Sequence, residues 1–237
     1  MVFYMAGKIC SLCKENRELR YSHILPEFLY LNLYELKKHR VILFGSSQKV
    51  KFIQKGIREH LLCQECETKL SRYEGYTKRV LLKIPEFSRH PSGKFIFLEG
   101  VNCEQFKIFQ LSILWRASVS QNPMFMNVNL GKHEEKIRCM LNEENPGKFN
   151  NYGSFIVIVP NPKKVDKILL SPMKEKLFGH TGYIFMTGNL FWYFIVSSHP
   201  VEGAVQEMFL QESDLLRIWM APWNESEILT NIRKALM

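Results

Sequence analysis

Two short cysteine pairs, Cys10-Ser-Leu-Cys13 and Cys63-Gln-Glu-Cys66, carry the most specific chemistry in this chain. Two Cys-x-x-Cys units supply four thiolates in a tetrahedron, the ligand set of a structural zinc ion. One pair alone suits a redox centre. Two pairs, in a chain whose Met1 to Lys8 segment has no basic region leading into an apolar stretch, favour metal over disulfides. The 49 residues between the pairs exceed what a minimal zinc ribbon needs, so further structure is inserted there. Cys103 and Cys139 have no partner at such spacing and are expected as small buried apolar residues.

The elements that must position these cysteines are legible around them. Cys10–Cys13 leads into the polar turn Lys14-Glu15-Asn16-Arg17, which suits a zinc knuckle. Cys63–Cys66 follows the apolar Leu61-Leu62 and opens a segment in which Leu70, Tyr73, Tyr76, Val80 and Leu81 recur at three-to-four spacing, predicting a helix with one buried face. A knuckle in a first strand pair, with the second ligand pair at a helix N-terminus, is the layout of a treble clef. The positive end of the helix dipole favours thiolates there.

Ser22-His23-Ile24-Leu25-Pro26 begins nine residues after Cys13. By itself, a histidine before an apolar residue and a proline is most often a packing or capping residue. In this order it means more. Cys-x-x-Cys, then His-Ile-x-Pro, then Leu-Leu-Cys-x-x-Cys opening a helix resembles the HNH (ββα-metal) endonuclease family over residues 8–82.

The resemblance implies that His23 is the general base activating water, and that a divalent cation, Mg²⁺ or Mn²⁺, stabilises the phosphate and the leaving oxygen. Several positions depart from the family pattern. Ser22 stands where a His or Asp ligand usually precedes the base. Lys55-Gly56-Ile57-Arg58-Glu59-His60 lacks the Asn that commonly orients it. Glu67 replaces a His ligand after the second cysteine of the helix pair. A glutamate is a legitimate hard ligand for such a cation, and Glu59 or His60 is the candidate to complete the site. Three readings stay open: a working variant nuclease, a zinc scaffold whose catalytic site has decayed into a nucleic-acid- or partner-binding module, or a zinc fold of unrelated descent in which His23 is merely structural.

Charge points to a polyanion. Residues 1–85 hold 16 Lys+Arg against 8 Asp+Glu, whereas residues 86–237 hold 16 against 15. The excess is interleaved with apolar residues between the cysteine pairs. An apolar stretch from Leu25 to Leu36 predicts a short helix after Pro26. Lys37, Lys38 and Arg40 precede a predicted strand Val41–Phe44, and Lys49, Lys51, Lys55 and Arg58 flank Val50, Phe52 and Ile53. Lys69 and Arg72 follow on the predicted helix. Alternation of this kind buries one face and offers the other to phosphates, without specifying a base sequence. Nucleic acid is the expected partner, DNA before RNA.

The chain is expected to be α+β: a zinc-stapled module over residues 1–85, a linker near 85–93, and a second domain over 94–237 with an antiparallel sheet and a few helices. In that domain Phe95–Leu98 predicts a strand, and Glu104–Val119 a helix apolar on most faces. His133–Asn145 predicts an amphipathic helix, Phe155–Val159 a buried strand, and Glu225–Leu236 a last helix. Tyr183–Met186 and Leu190–Val196 flank Thr187-Gly188-Asn189 as a hairpin, the second strand apolar throughout and so buried on both faces. This domain would serve specificity, dimerisation or docking of a protein partner.

Other classes are excluded on composition and motif. Asp166 and Asp214 are the only aspartates, which counts against clustered-aspartate metal chemistry. No P-loop, dinucleotide-binding glycine fingerprint or Gly-x-Ser-x-Gly elbow occurs. No run approaches eighteen apolar residues, so no membrane span is expected and the location is taken as cytoplasmic. The resemblance to HNH endonucleases further implies a role in phage defence or a mobile element.

Overall fold

The computed structural model describes residues 8–31, 41–44, 50–53, 56–82, 94–159, 168–210 and 214–221. In chain order its elements begin with β1 (Lys8–Ile9), β2 (Asn16–Arg17), β3 (Leu19–His23), α1 (Phe28–Leu31), β4 (Val41–Phe44), β5 (Val50–Ile53), β6 (Arg58–Cys63) and α2 (Gln64–Leu82). They continue with β7 (Phe95–Leu98), α3 (Cys103–Val119), α4 (Lys132–Asn142), β8 (Ser154–Ile158), β9 (Ile168–Leu177), β10 (His180–Thr187), β11 (Leu190–Val196) and β12 (Leu216–Met220).

The first strands are short because the chain must turn sharply around the cysteines. β1 and β2 pair antiparallel, Lys8 opposite Arg17, across a turn in which Lys14 adopts a left-handed φ of 64°. The Lys14 N–H donates to the Cys10 carbonyl, closing that turn. β3 pairs antiparallel with β6, from Leu19 opposite Cys63 to His23 opposite Arg58, and α2 follows β6 without a break. α2 buries Cys66, Leu70, Thr77 and Val80 on one face and carries Glu65 and Glu67 in its first turn, where the helix dipole favours acidic groups.

The remaining strands form one sheet in the order β5-β4-β9-β10-β11-β8-β12-β7. An antiparallel sheet was expected, but this one is mixed: β4 runs parallel to β9, and β12 parallel to β8. Direct hairpins force antiparallel pairing only between the strands they join, and these partners are far apart in sequence. β10 and β11 are such a hairpin, joined at Thr187 and Leu190 with Gly188 at a φ of 63°.

Alternation along the central strands separates two cores. Ile156, Tyr183, Phe185, Trp192 and Phe194 face one cluster, while Phe155, Val157, Ile184, Met186, Phe191 and Ile195 face another. Both faces of β11 are therefore covered, as its continuous apolar run predicted. On the first face lies α3, buried from Phe106 through Ala117 and capped by the Asn102 side chain, which accepts from the Gln105 N–H. Phe106 and Phe109 both contact Trp192. The same cluster includes Cys10 and Leu12 of the knuckle and Leu70 of α2, so knuckle and sheet share a core.

The inserted hairpin β4–β5 joins the edge of the large sheet through β9, placing Lys51 on the edge strand opposite Leu43. Lys37, Lys38, Arg40, Lys49 and Lys55, the expected linker at 85–93 and the expected helix Glu225–Leu236 lie outside the described residues. Among the described residues no helix is long and apolar enough to cross a membrane.

Candidate metal centre and its surroundings

Cys10 follows β1, Cys13 lies in the turn after it, Cys63 ends β6 and Cys66 occupies the first turn of α2. Their four Sγ atoms lie within 4.8 Å of one another, and Cys13 Sγ is 3.9 Å from Cys63 Sγ. A tetrahedron of thiolates at zinc–sulfur distance has edges of about 3.8 Å. All four cysteines are free, with Cys10, Cys63 and Cys66 buried. These distances match a shared cation and are too long for a disulfide.

Local hydrogen bonds hold the cluster together. The Cys63 N–H donates to Cys10 Sγ at 3.3 Å, and the Ser11 N–H donates to the Leu61 carbonyl at 3.1 Å, pinning the knuckle onto β6. Burial opposes ionisation of Cys10, yet donors from Cys63, Cys13 and Leu12 together lower its pKa. Cys66 is pushed far up by burial and by the neighbouring sulfurs. Four thiolates so close together are mutually repulsive without a cation, and a bound dication reverses that balance.

α4 supports the knuckle from the other side. Arg138 is held by the Glu135 carboxylate, with Nη2 at 2.6 Å from Oε1, and its Nη1 donates to the Leu12 carbonyl. Cys139 sits against this pair at the surface of α4; it and Cys103 are half-buried where small buried residues were expected.

His23 ends β3 and is half-buried. Arg58 Nε donates to His23 Nε2 at 2.8 Å, which requires that nitrogen to be unprotonated. Burial, then the Arg58 charge, lowers its pKa to about 4 against an opposing pull from Glu27, with Arg116 adding a weaker downward push. Gly56 makes room for the ring: a Cβ there would lie 2.9 Å from His23 Cδ2.

The other expected site residues disperse. Glu59 accepts from Ser120 Oγ at 2.7 Å and from the Gln121 N–H at 3.1 Å, tying β6 to the end of α3. The His60 ring nitrogen Nδ1 meets the Leu19 carbonyl at 3.3 Å while its ring lies beside exposed Tyr21. Glu67 stays on α2 with its Oε2 buried and unpartnered among the described residues. Lys69 Nζ donates to the Asn142 carbonyl at 2.7 Å and lies near Glu144, and Arg72 pairs with Glu144 at 3.0 Å. Among the described residues the four cysteines form the one cluster of three or more metal-ligating side chains, so the donors expected for a catalytic cation do not gather around His23.

Sequence reasoning missed Arg116, Glu74 and Glu144. Arg116 is fully buried, pairs with Glu74 at 2.8 Å and donates from Nη1 to the His23 carbonyl at 2.9 Å. The available signal was a cation inside a helix apolar on most faces. Comparison with protein-family models, curated proteins and solved structures found no match.

Proposed function

We propose that the chain is a zinc-stapled phosphodiesterase acting on DNA, related in plan to the HNH endonucleases, with a treble-clef N-terminal unit. The observation that carries this reading is the position of His23: it ends the first strand of a β3–β6–α2 unit that is closed by the four cysteines, directly across from Arg58. Zinc suits the donor set, since four thiolates at tetrahedral spacing form a closed site with no position left for a substrate. That ion is structural.

His23 acts as the base. Its imidazole is neutral throughout the physiological range, and Nδ1 has no partner among the described residues, leaving a nitrogen to take a proton from water. Arg58 stands beside it with a fixed positive charge, suited to a phosphate oxygen. A Mg²⁺ or Mn²⁺ ion would supply Lewis-acid stabilisation of the leaving oxygen; Glu67, whose Oε2 has no partner among the described residues, is the donor proposed for it, although no cluster of three such donors forms there among those residues.

A second reading, a binding subunit without catalysis, is favoured by the ties that engage Glu59, His60, Lys69 and Arg72 elsewhere. Plasmid DNA incubated with the purified chain in Mg²⁺ and in Mn²⁺ separates the two. Cleavage abolished by His23→Ala and Glu67→Ala, in proteins that retain zinc, supports the enzyme. Salt-dependent binding with no cleavage in either metal supports the binding subunit.

A further inference from the structure

We infer that Arg116 of α3 is the positioning residue for His23, so that the second part of the chain sets the geometry of the candidate site; this rests on the reading of His23 as the reacting base. Every nitrogen of the Arg116 guanidinium is engaged. Nη1 reaches both the His23 carbonyl at 2.9 Å and Glu74 Oε1 at 2.8 Å. Nη2 donates to Ser112 Oγ at 3.2 Å, and Nε donates to the Ser112 carbonyl at 3.3 Å.

Burying a full charge is costly, and an aliphatic side chain would pack α3 against its apolar neighbours without that cost. The specific gain from a guanidinium here is a fixed fork joining three elements: α3, α2 through Glu74, and β3 through the backbone of His23. A hydrogen bond to the His23 carbonyl restrains the peptide plane from which its side chain departs. The end of α3 holds the opposite strand as well, because Ser120 and Gln121 donate to Glu59, which lies across from Ser22. Both strands that present the His23–Arg58 pair are thus pinned at the end of one helix, and Ser22, on β3 opposite Glu59, is 1% exposed.

The test is long-range ¹H–¹⁵N spectroscopy of the imidazoles in the full chain, together with DNA cleavage kinetics. Arg116→Lys keeps the charge and loses the planar fork. In a protein that retains its metal, it should move the His23 resonances while those of His180 and His199 stay in place. It should also lower kcat about a hundredfold with KM unchanged, the scale of a small misplacement of a reacting group. Unmoved His23 resonances in folded Arg116→Lys overturn the inference. Should Arg116→Lys fail to fold, Glu74→Gln, which withdraws only the counter-charge of the guanidinium, takes its place: displaced His23 resonances support the role and unchanged ones overturn it. A wild-type chain without cleavage defeats the nuclease reading alone, because the spectra require no activity.

Discussion

Arg58 and His23 face each other at the end of the β3–β6 ladder, and the guanidinium Nε donates to the imidazole Nε2 at 2.8 Å. A protonated imidazole has no lone pair to accept that bond and would sit beside a permanent cation. The pair therefore stores a dependence on pH, and it couples the candidate base to the candidate phosphate-binding charge.

The sign of that dependence follows from the two states. His23 in the unfolded chain has the ordinary value of 6.5, and in the fold about 4, so between these values the unfolded chain binds more protons. Stability contributed by the neutral ring is intact above pH 6.5 and is lost as pH falls through 4. Urea unfolding of His23→Gln and wild type should show a difference that shifts in favour of the variant by about 2 kcal/mol between pH 7 and pH 4.5. A difference that does not vary with pH would contradict a desolvated imidazole facing Arg58.

Gly56→Ala should disturb the same pair by sterics. The new Cβ would lie 2.9 Å from both His23 Cδ2 and Tyr30 Cε2, and Tyr30 is fully buried, with its hydroxyl accepting from the Ile57 N–H. Overpacking of this kind costs about 1–3 kcal/mol. Pushing His23 away from Arg58 should also raise its pKa toward the ordinary value, which an NMR titration reads. An unchanged titration would mean that the neighbouring backbone gives way instead.

Metal removal should unfold the knuckle and the β6–α2 junction. Cys63 links the two because its thiol joins the cluster while its N–H donates to Cys10 Sγ. Apparent binding energies of structural zinc in small modules are about 10–16 kcal/mol, so a strong chelator or Cys63→Ser should lower the thermal midpoint sharply. Elemental analysis should give one zinc per chain. A purified chain with no metal and full stability would remove zinc from the account.

Glu144→Gln should release the cations of α2. Glu144 engages Lys69 and Arg72, and the Tyr73 phenol, pushed up to about 12 by burial and by this carboxylate, donates to it. These are partly solvated contacts, so the stability change should stay below about 1 kcal/mol. DNA affinity should rise instead, and the logarithmic salt slope should steepen by about 0.9 for each freed cation that meets a phosphate. Equal affinity and slope would place the nucleic-acid surface away from α2.

The local elements were largely legible in the sequence because their causes are local. The cysteine spacing announced the cluster, the three-to-four recurrence of Leu70, Tyr73 and Val80 announced α2, and the apolar run Leu190–Val196 announced a strand buried on both faces. β9 was missed because Pro172 and the charged Lys174-Glu175-Lys176 break its apolar pattern. It is a strand all the same, with a register shift opposite Pro172 where a missing N–H does least harm.

The chain by itself determined the ligand set, the helix after it and the place of His23 between the cysteine pairs, since each depends on residues close in sequence. Tertiary structure decided what those groups meet. It took the β4–β5 hairpin into the far sheet, gave Glu59 to the end of α3, set Glu144 against Lys69 and Arg72, and brought Arg116 across 93 positions of chain to the carbonyl of His23. Such partners arise from how α3 packs beneath the sheet and beside α2. That packing rewards total apolar burial and leaves no periodic mark on the residues it pairs.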